Sequence, residues 1–209
     1  MHGLFLLKLR PYIAEKLLHE EEGWNLLFQR AGVEYTVFVP QNHYEARVVA
    51  RLYYAAAELR SEDYTQFLQG YGRYIVSDLI QMYAHLFSFD GLTTFDLLHR
   101  LEDVYKRYRD QRVMDPPRIN FDEASKRKGI LYYRSSHEEV PGLCHMAHGM
   151  LLGAADFLNQ RIAIHQTECV DEGSPVCAFE LRPLHRGSSS FQKVRVILNE
   201  SSDDSEDDG

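Results

Sequence analysis

All three cysteines of this 209-residue chain fall within one 34-residue stretch, at Cys144, Cys169 and Cys177, and the other 175 residues contain none. An odd number of cysteines argues against a disulfide framework. The spacing constrains the fold more than any other feature. Cys169 ends one apolar alternating segment and Cys177 begins the next, across Gly173-Ser174-Pro175, so a hairpin brings them together. Cys144 lies one turn into the helix before that hairpin, and the 25 positions from Cys144 to Cys169 leave room for a helix to run out and a strand to return. A chain folded this way docks a helix N-terminus against a hairpin end. Three thiolates meeting there suit a soft metal ion, zinc above all, in a closed structural site. The simpler alternative is three buried thiols without metal, because small cysteines are common in cores.

The first half of the chain reads as helices. Apolar residues at helical spacing predict helices over 3–19, about 22–31, about 43–59, 62–69 and about 72–86, with Pro11 bending or breaking the first. Thr93 or Thr94 caps a further helix reaching about Tyr108, and Pro116-Pro117 ends the region. The second half changes character. Residues 129–135 read as a strand, 139–158 as a helix, and 161–169 with 176–182 as the hairpin; Lys193–Leu198 alternates weakly and is a candidate last strand. The expected organisation is a single domain over 1–186, helical to about 115 and α/β from about 116 to 186. A flexible acidic tail over 187–209 follows.

Charge narrows the function. Net charge is −8, but six of the 31 acids lie in the last ten residues, leaving 25 acids against 23 bases. The folded part therefore gives no electrostatic case for nucleic acid or an anionic membrane. No apolar run reaches the ~20 residues of a membrane span. The apolar start, Met1–Pro11, is short and has neither a basic leader nor a small-residue cleavage site, so a cytoplasmic location with reduced thiols is expected. Thirteen Tyr and eleven Phe suit a protein that lines a cavity, although ordinary core and rim positions account for such residues equally well.

Specific segments resemble a known family. Met1-His2-Gly3-Leu4, Tyr71-Gly72-Arg73-Tyr74-Ile75, the helix Phe95–Asp103, the prolines before Phe121 and Leu131–His137 resemble, in order, the H-NOX (heme nitric oxide/oxygen binding) family over residues 1–182. Residues 142–181, with Cys144, Asn159-Gln160-Arg161-Ile162 and the Cys-x7-Cys hairpin, resemble the related 4-vinyl-reductase-type sensor domain, in which the corresponding cysteines form a structural zinc site. The resemblance implies an α+β fold, a helical layer packed on an antiparallel sheet around a hydrophobic pocket.

It also implies roles for particular residues. The zinc ligands are then Cys144, Cys169 and Cys177. The relatives' fourth ligand is an acid three residues before the first hairpin cysteine, a place held here by Gln166. Glu168 is a near substitute, and His148, one helical turn after Cys144, is a physical alternative. In heme-binding members a histidine on the mid-chain helix ligates iron and a Tyr-x-Ser-x-Arg motif holds the propionates, for which a guanidinium fork is suited. This chain keeps Tyr133 and Ser135 but has His137 in the arginine place. Matching Phe-Asp-Leu-Leu-His puts His99 at the iron; a register with fewer insertions puts Tyr105 or Lys106 there, and His99 and Lys106, seven apart, share one side of the helix.

Gly149-x-x-x-Gly153 lets a flat ligand or a neighbouring backbone approach closely. His145 and His148 lie near Cys144, but no orienting acid or oxyanion-hole glycine motif accompanies them, so no enzymatic activity is expected. Three functions remain. The first is a stand-alone sensor with structural zinc and a pocket for a small hydrophobic or tetrapyrrole ligand, heme-free or heme-altered. The second is a heme-based nitric oxide or oxygen sensor. The third is an interaction module that binds no ligand. Each passes its output to a separate signalling protein, and homodimerisation is left open.

Overall fold

A computed structural model describes residues 3–15, 20–34, 36–40, 42–82, 91–111 and 116–184. Helices α1 (Leu4–Leu7), α2 (Leu9–Ala14), α3 (Glu20–Ala31), α4 (Ala46–Arg60), α5 (Tyr64–Met82) and α6 (Thr94–Asp110) come first. Strands β1 (Arg118–Ser125) and β2 (Lys128–Arg134), helix α7 (Leu143–Phe157), and strands β3 (Ile162–Glu168) and β4 (Cys177–Pro183) follow. The four strands form one antiparallel sheet in the order β1-β2-β4-β3. Helices packed on such a sheet are the α+β arrangement expected above. The candidate strand at 193–198 and the acidic tail lie outside the described residues.

Several boundaries differ from the periodicity reading, each for a local reason. The first helix breaks at Lys8 rather than at Pro11. Pro11 sits in the first turn of α2, where a missing N–H costs nothing. The helices expected at 62–69 and 72–86 are one continuous α5 as far as Met82, running through Gly70 and Gly72. Gly72 is there for close approach: a Cβ on it would strike the Met146 backbone of α7, and one on Gly149 would strike the Gln69 backbone of α5. The Gly149-x-x-x-Gly153 face thus meets a neighbouring helix. Arg73 and Asp156 tie the same crossing together, with Nη2 2.6 Å from Oδ2. Strand β1 was not anticipated. Its polar sequence RINFDEAS buries only Phe121, because β1 is an edge strand.

Three apolar clusters share α7. The largest packs α1–α5 around the fully buried Tyr53, Phe67 and Tyr71, and reaches Leu143 and Met146. The second lies between the sheet and α6–α7 and includes Phe95, Phe121, Phe179 and all three cysteines. The third joins α5, α6 and α7 through Ile80, Leu97 and Ala154. Helix α6 is anchored at its start by a capping box between Thr93 and Asp96, and by Gln160 Oε1, which accepts from the Thr94 N–H and Oγ1 at 2.7 and 2.8 Å. Among the described residues no helix is long and apolar enough to cross a membrane.

Candidate functional site

Two features stand out, an apolar cavity and a thiol cluster, and they share walls. The cavity has a volume of about 300 Å³, at the lower end of ligand pockets. It lies between α6, α7, the end of α5 and the β1–β2 side of the sheet. Phe5 reaches it from the first helix, whose carbonyl at that residue accepts hydrogen bonds from the buried Tyr53 and Tyr71 hydroxyls at 3.2 and 2.7 Å. His43, just before α4, lines it too.

Helix α6 turns Leu97, Leu101, Val104, Tyr105 and Tyr108 toward the cavity, positions that fall on one face at ~100° per residue. His99 lies about half a turn away from that face. Its Nε2 is 3.0 Å from Glu123 Oε2 on β1, its ring packs edge-on to Phe121 at 5.0 Å, and its side chain is 46% exposed. Lys106 shares that outward side and is exposed. Of the three residues that the two sequence registers offered for iron, only Tyr105 lines the cavity.

Tyr133, Ser135 and His137 all line the cavity, at the end where β2 runs into the following loop. The Ser135 hydroxyl bonds Tyr133 and accepts the His137 N–H at 3.0 Å. Burial pushes the Tyr133 hydroxyl pKa well up, so it remains a neutral donor. No arginine lines the cavity among the described residues. Arg134 points elsewhere, its guanidinium bonded to Glu138 Oε1 at 2.7 Å and to the Pro175 carbonyl at 3.3 Å.

The three cysteines are brought together and buried, at 4%, 7% and 3% exposure for Cys144, Cys169 and Cys177. Their Sγ atoms all lie within 4.8 Å of one another, and Cys144 Sγ is 3.8 Å from Cys169 Sγ. The Cys144 thiol hydrogen-bonds Cys177, and the Val170 N–H donates to Cys177 Sγ at 3.3 Å, so Cys177 is held below the ordinary thiol value while Cys144 is pushed up. Three buried sulfurs gathered this closely are a soft-metal donor set.

Of the three sequence candidates for a fourth ligand, Glu168 and His148 do not join the ligand atoms that lie within 4.8 Å of one another, and the Gln166 amide is engaged elsewhere. Gln166 donates from its amide to the Glu168 carbonyl at 3.2 Å. Glu168 is an exposed end residue of β3. His148 packs its ring on Phe179 at 5.9 Å, and burial together with the neighbouring His145 lowers its pKa. Sequence reasoning overlooked another residue, Asp171, in the 3-10 turn Val170–Glu172 that links the two hairpin cysteines. Its Oδ2 is 3.8 Å from Cys144 Sγ and accepts the Gly142 N–H at 3.1 Å. The only sequence hint was an acid inside the Cys-x7-Cys turn. His43 and Phe5 gave no hint at all, since the tertiary fold alone brings them to the cavity.

Comparison with known structures bears on both features. The chain superposes on an H-NOX protein from S. oneidensis in the Fe(II)NO ligation state with a TM-score of 0.75 and 20% identity, covering 88% of this chain and 100% of that one. An I5F mutant of the T. Tengcongensis H-NOX aligns with a TM-score of 0.72 and 15% identity, over 88% and 98%. The Fe(II) unliganded H-NOX protein from K. algicida gives 0.72 and 14%, over 92% and 100%. At these identities the likeness establishes the H-NOX fold. No curated protein sequence matches the chain significantly. The family model described as Haem-NO-binding matches residues 3–166, well over half of the chain. With the fold, the cavity and the Tyr133-x-Ser135 segment in place, that match shows that this chain belongs to the Haem-NO-binding, or H-NOX, family of sensor domains.

Proposed function

We propose that the chain is an H-NOX sensor domain with an altered heme site: its cavity receives a flat apolar ring of the heme class, and its three thiols hold a structural zinc ion. One observation carries the pocket half of this reading. The apolar cavity runs from α6 to the sheet and ends at Tyr133, Ser135 and His137, a polar rim for the acidic edge of such a ring. Family membership supports heme as the ring. When bound, heme supplies an iron centre for a diatomic gas such as nitric oxide or oxygen. The residues fit the ring but not the family's histidine-and-arginine pattern, because His99 faces Glu123 and His137 holds the arginine place. Groups that do face the cavity are Tyr105 and Tyr108 from α6 and His43 from the opposite side. The domain changes the fit of its cavity walls on ligand binding and hands that change to a separate signalling protein. We read it as a sensor and not as an enzyme.

Hemin titration of the purified protein tests the reading. A Soret band is expected, unchanged in His99→Ala and altered in Tyr105→Phe or His43→Ala. A protein that stays colourless after hemin addition would sink the heme reading. The second reading, a heme-free pocket for another apolar ligand, is favoured by the lack of an arginine among the described lining residues, and native mass spectrometry showing a retained non-heme ligand would establish it.

A further inference from the structure

We propose that Asp171 is the fourth ligand of the metal site, so that Cys144, Cys169, Cys177 and Asp171 form a three-sulfur, one-oxygen set. The proposal rests on the zinc reading and sharpens it. Around a tetrahedral ion with metal–sulfur bonds of ~2.3 Å, neighbouring sulfurs are about 3.8 Å apart. Cys144 and Cys169 are separated by 3.8 Å with no adjustment. Three thiolates leave one corner of the tetrahedron open, and a structural site closes it with a protein group.

Asp171 is the acid beside that corner: its carboxylate meets Cys144, while among the described residues the ligand atoms within 4.8 Å of one another are the three sulfurs alone, so binding would draw the carboxylate inward. It stands two residues after Cys169, in the short turn that also delivers Cys177. A carboxylate oxygen bound at ~2.0–2.2 Å would lie about 3.5 Å from a ligand sulfur. Asp171 Oδ2 is 3.8 Å from Cys144 Sγ, within a few tenths of an ångström of that separation. The Gly142 N–H donates to the same oxygen at 3.1 Å and orients it, as outer partners of ligating carboxylates do. Gly142 is also the N-cap of α7, a helix start with no side-chain cap of its own, and a helix N-terminus favours a carboxylate. The three residues that the resemblance and the sequence offered have other engagements or an exposed position: Gln166 with the Glu168 carbonyl, His148 with Phe179, and Glu168 at the exposed end of β3.

The competing account is that Asp171 only caps α7. Cobalt(II) titration of the reduced, metal-free full-length chain separates the two, with zinc competition for affinity. Wild type should bind one cobalt with sulfur-to-metal charge transfer and a tetrahedral d–d envelope. Asp171→Asn keeps an acceptor for Gly142 N–H; it should shift that envelope and weaken zinc at least about tenfold. Asp171→His should restore tight binding with a different envelope, which a mere cap would not do. Gln166→Ala, Glu168→Gln and His148→Ala should leave spectrum and affinity as in wild type. An unchanged envelope and affinity in Asp171→Asn would overturn the assignment, as would loss of binding in one of the other three. Absence of charge transfer in wild type would instead remove the zinc reading itself, and the assignment with it.

Discussion

The thiol cluster and the cavity are built on the same backbone, and they differ in how their residues come together. Leu143 lines the cavity while the next residue, Cys144, enters the cluster. Tyr133 on β2 lines the cavity and is the cross-strand partner of Cys177 on β4. Yet the cluster draws all its groups from one stretch near the chain's end, on a helix start and a hairpin. The cavity gathers residues from the first helix, from α5, α6 and α7, and from two strands. A local site tolerates drift elsewhere in the chain, because its geometry needs only one helix and one hairpin. A dispersed site depends on every helix crossing, which leaves its occupant free to change while the fold stays.

The largest expected effect comes from stripping the local site. A structural metal present at 1,000 times its Kd adds about 4.1 kcal/mol of stability. Removing zinc with a chelator, or making Cys169→Ser with Cys177→Ser, should therefore lower Tm by on the order of 10 °C and abolish bound zinc. Calorimetry with elemental analysis reads both. If hemin binding at low temperature vanishes together with the metal, the two regions form one unit and the contrast drawn here is broken.

A smaller effect should come from the dispersed site's scaffold. Gly149→Val drives a side chain into the Gln69 backbone of α5, where no flexible group can yield. Overpacking of this kind costs about 1–3 kcal/mol, and a clash with backbone lies at the upper end. Urea unfolding should show the loss, and cavity ligand affinity should fall more than zinc affinity. The reverse order would mean that the metal site, too, depends on the α5–α7 crossing.

The smallest effect is a pH dependence. Burial and His145 hold the His148 pKa below its ordinary value, so the unfolded chain takes up a proton more readily than the folded one. The stability from keeping His148 neutral is complete above the ordinary value of ~6.5 and is lost as pH falls through the lowered one. Metal-free protein should therefore melt at lower temperature as the pH drops below ~6.5, and His148→Gln should flatten that slope. An unchanged slope would show that other groups set it.

How much of this was legible in advance follows the same contrast. Helices α3, α4, α6 and α7, strand β2 and the hairpin were visible because each carries its own period or cap, as Thr93 does for α6. Strand β1 was invisible because an edge strand buries one residue, Phe121, and needs no alternating pattern. The union of two expected helices into α5 was hidden because Gly70 and Gly72 lie at the join, and α7 lying against Gly72 explains a glycine there.

The sequence by itself determined the α+β class, the family resemblance and the three sulfur positions. The sulfur positions rest on spacing within short segments, where the covalent chain limits the geometry, and the α+β class is what the resemblance of short motifs implies. Tertiary structure alone decided that His99 meets Glu123 rather than the cavity, that Tyr105 and His43 line the cavity, and that Asp171 lies beside Cys144. Each depends on how a helix is rotated or a turn is closed against a partner distant in sequence. That choice is made by the packing of whole faces, and no single residue spells it out.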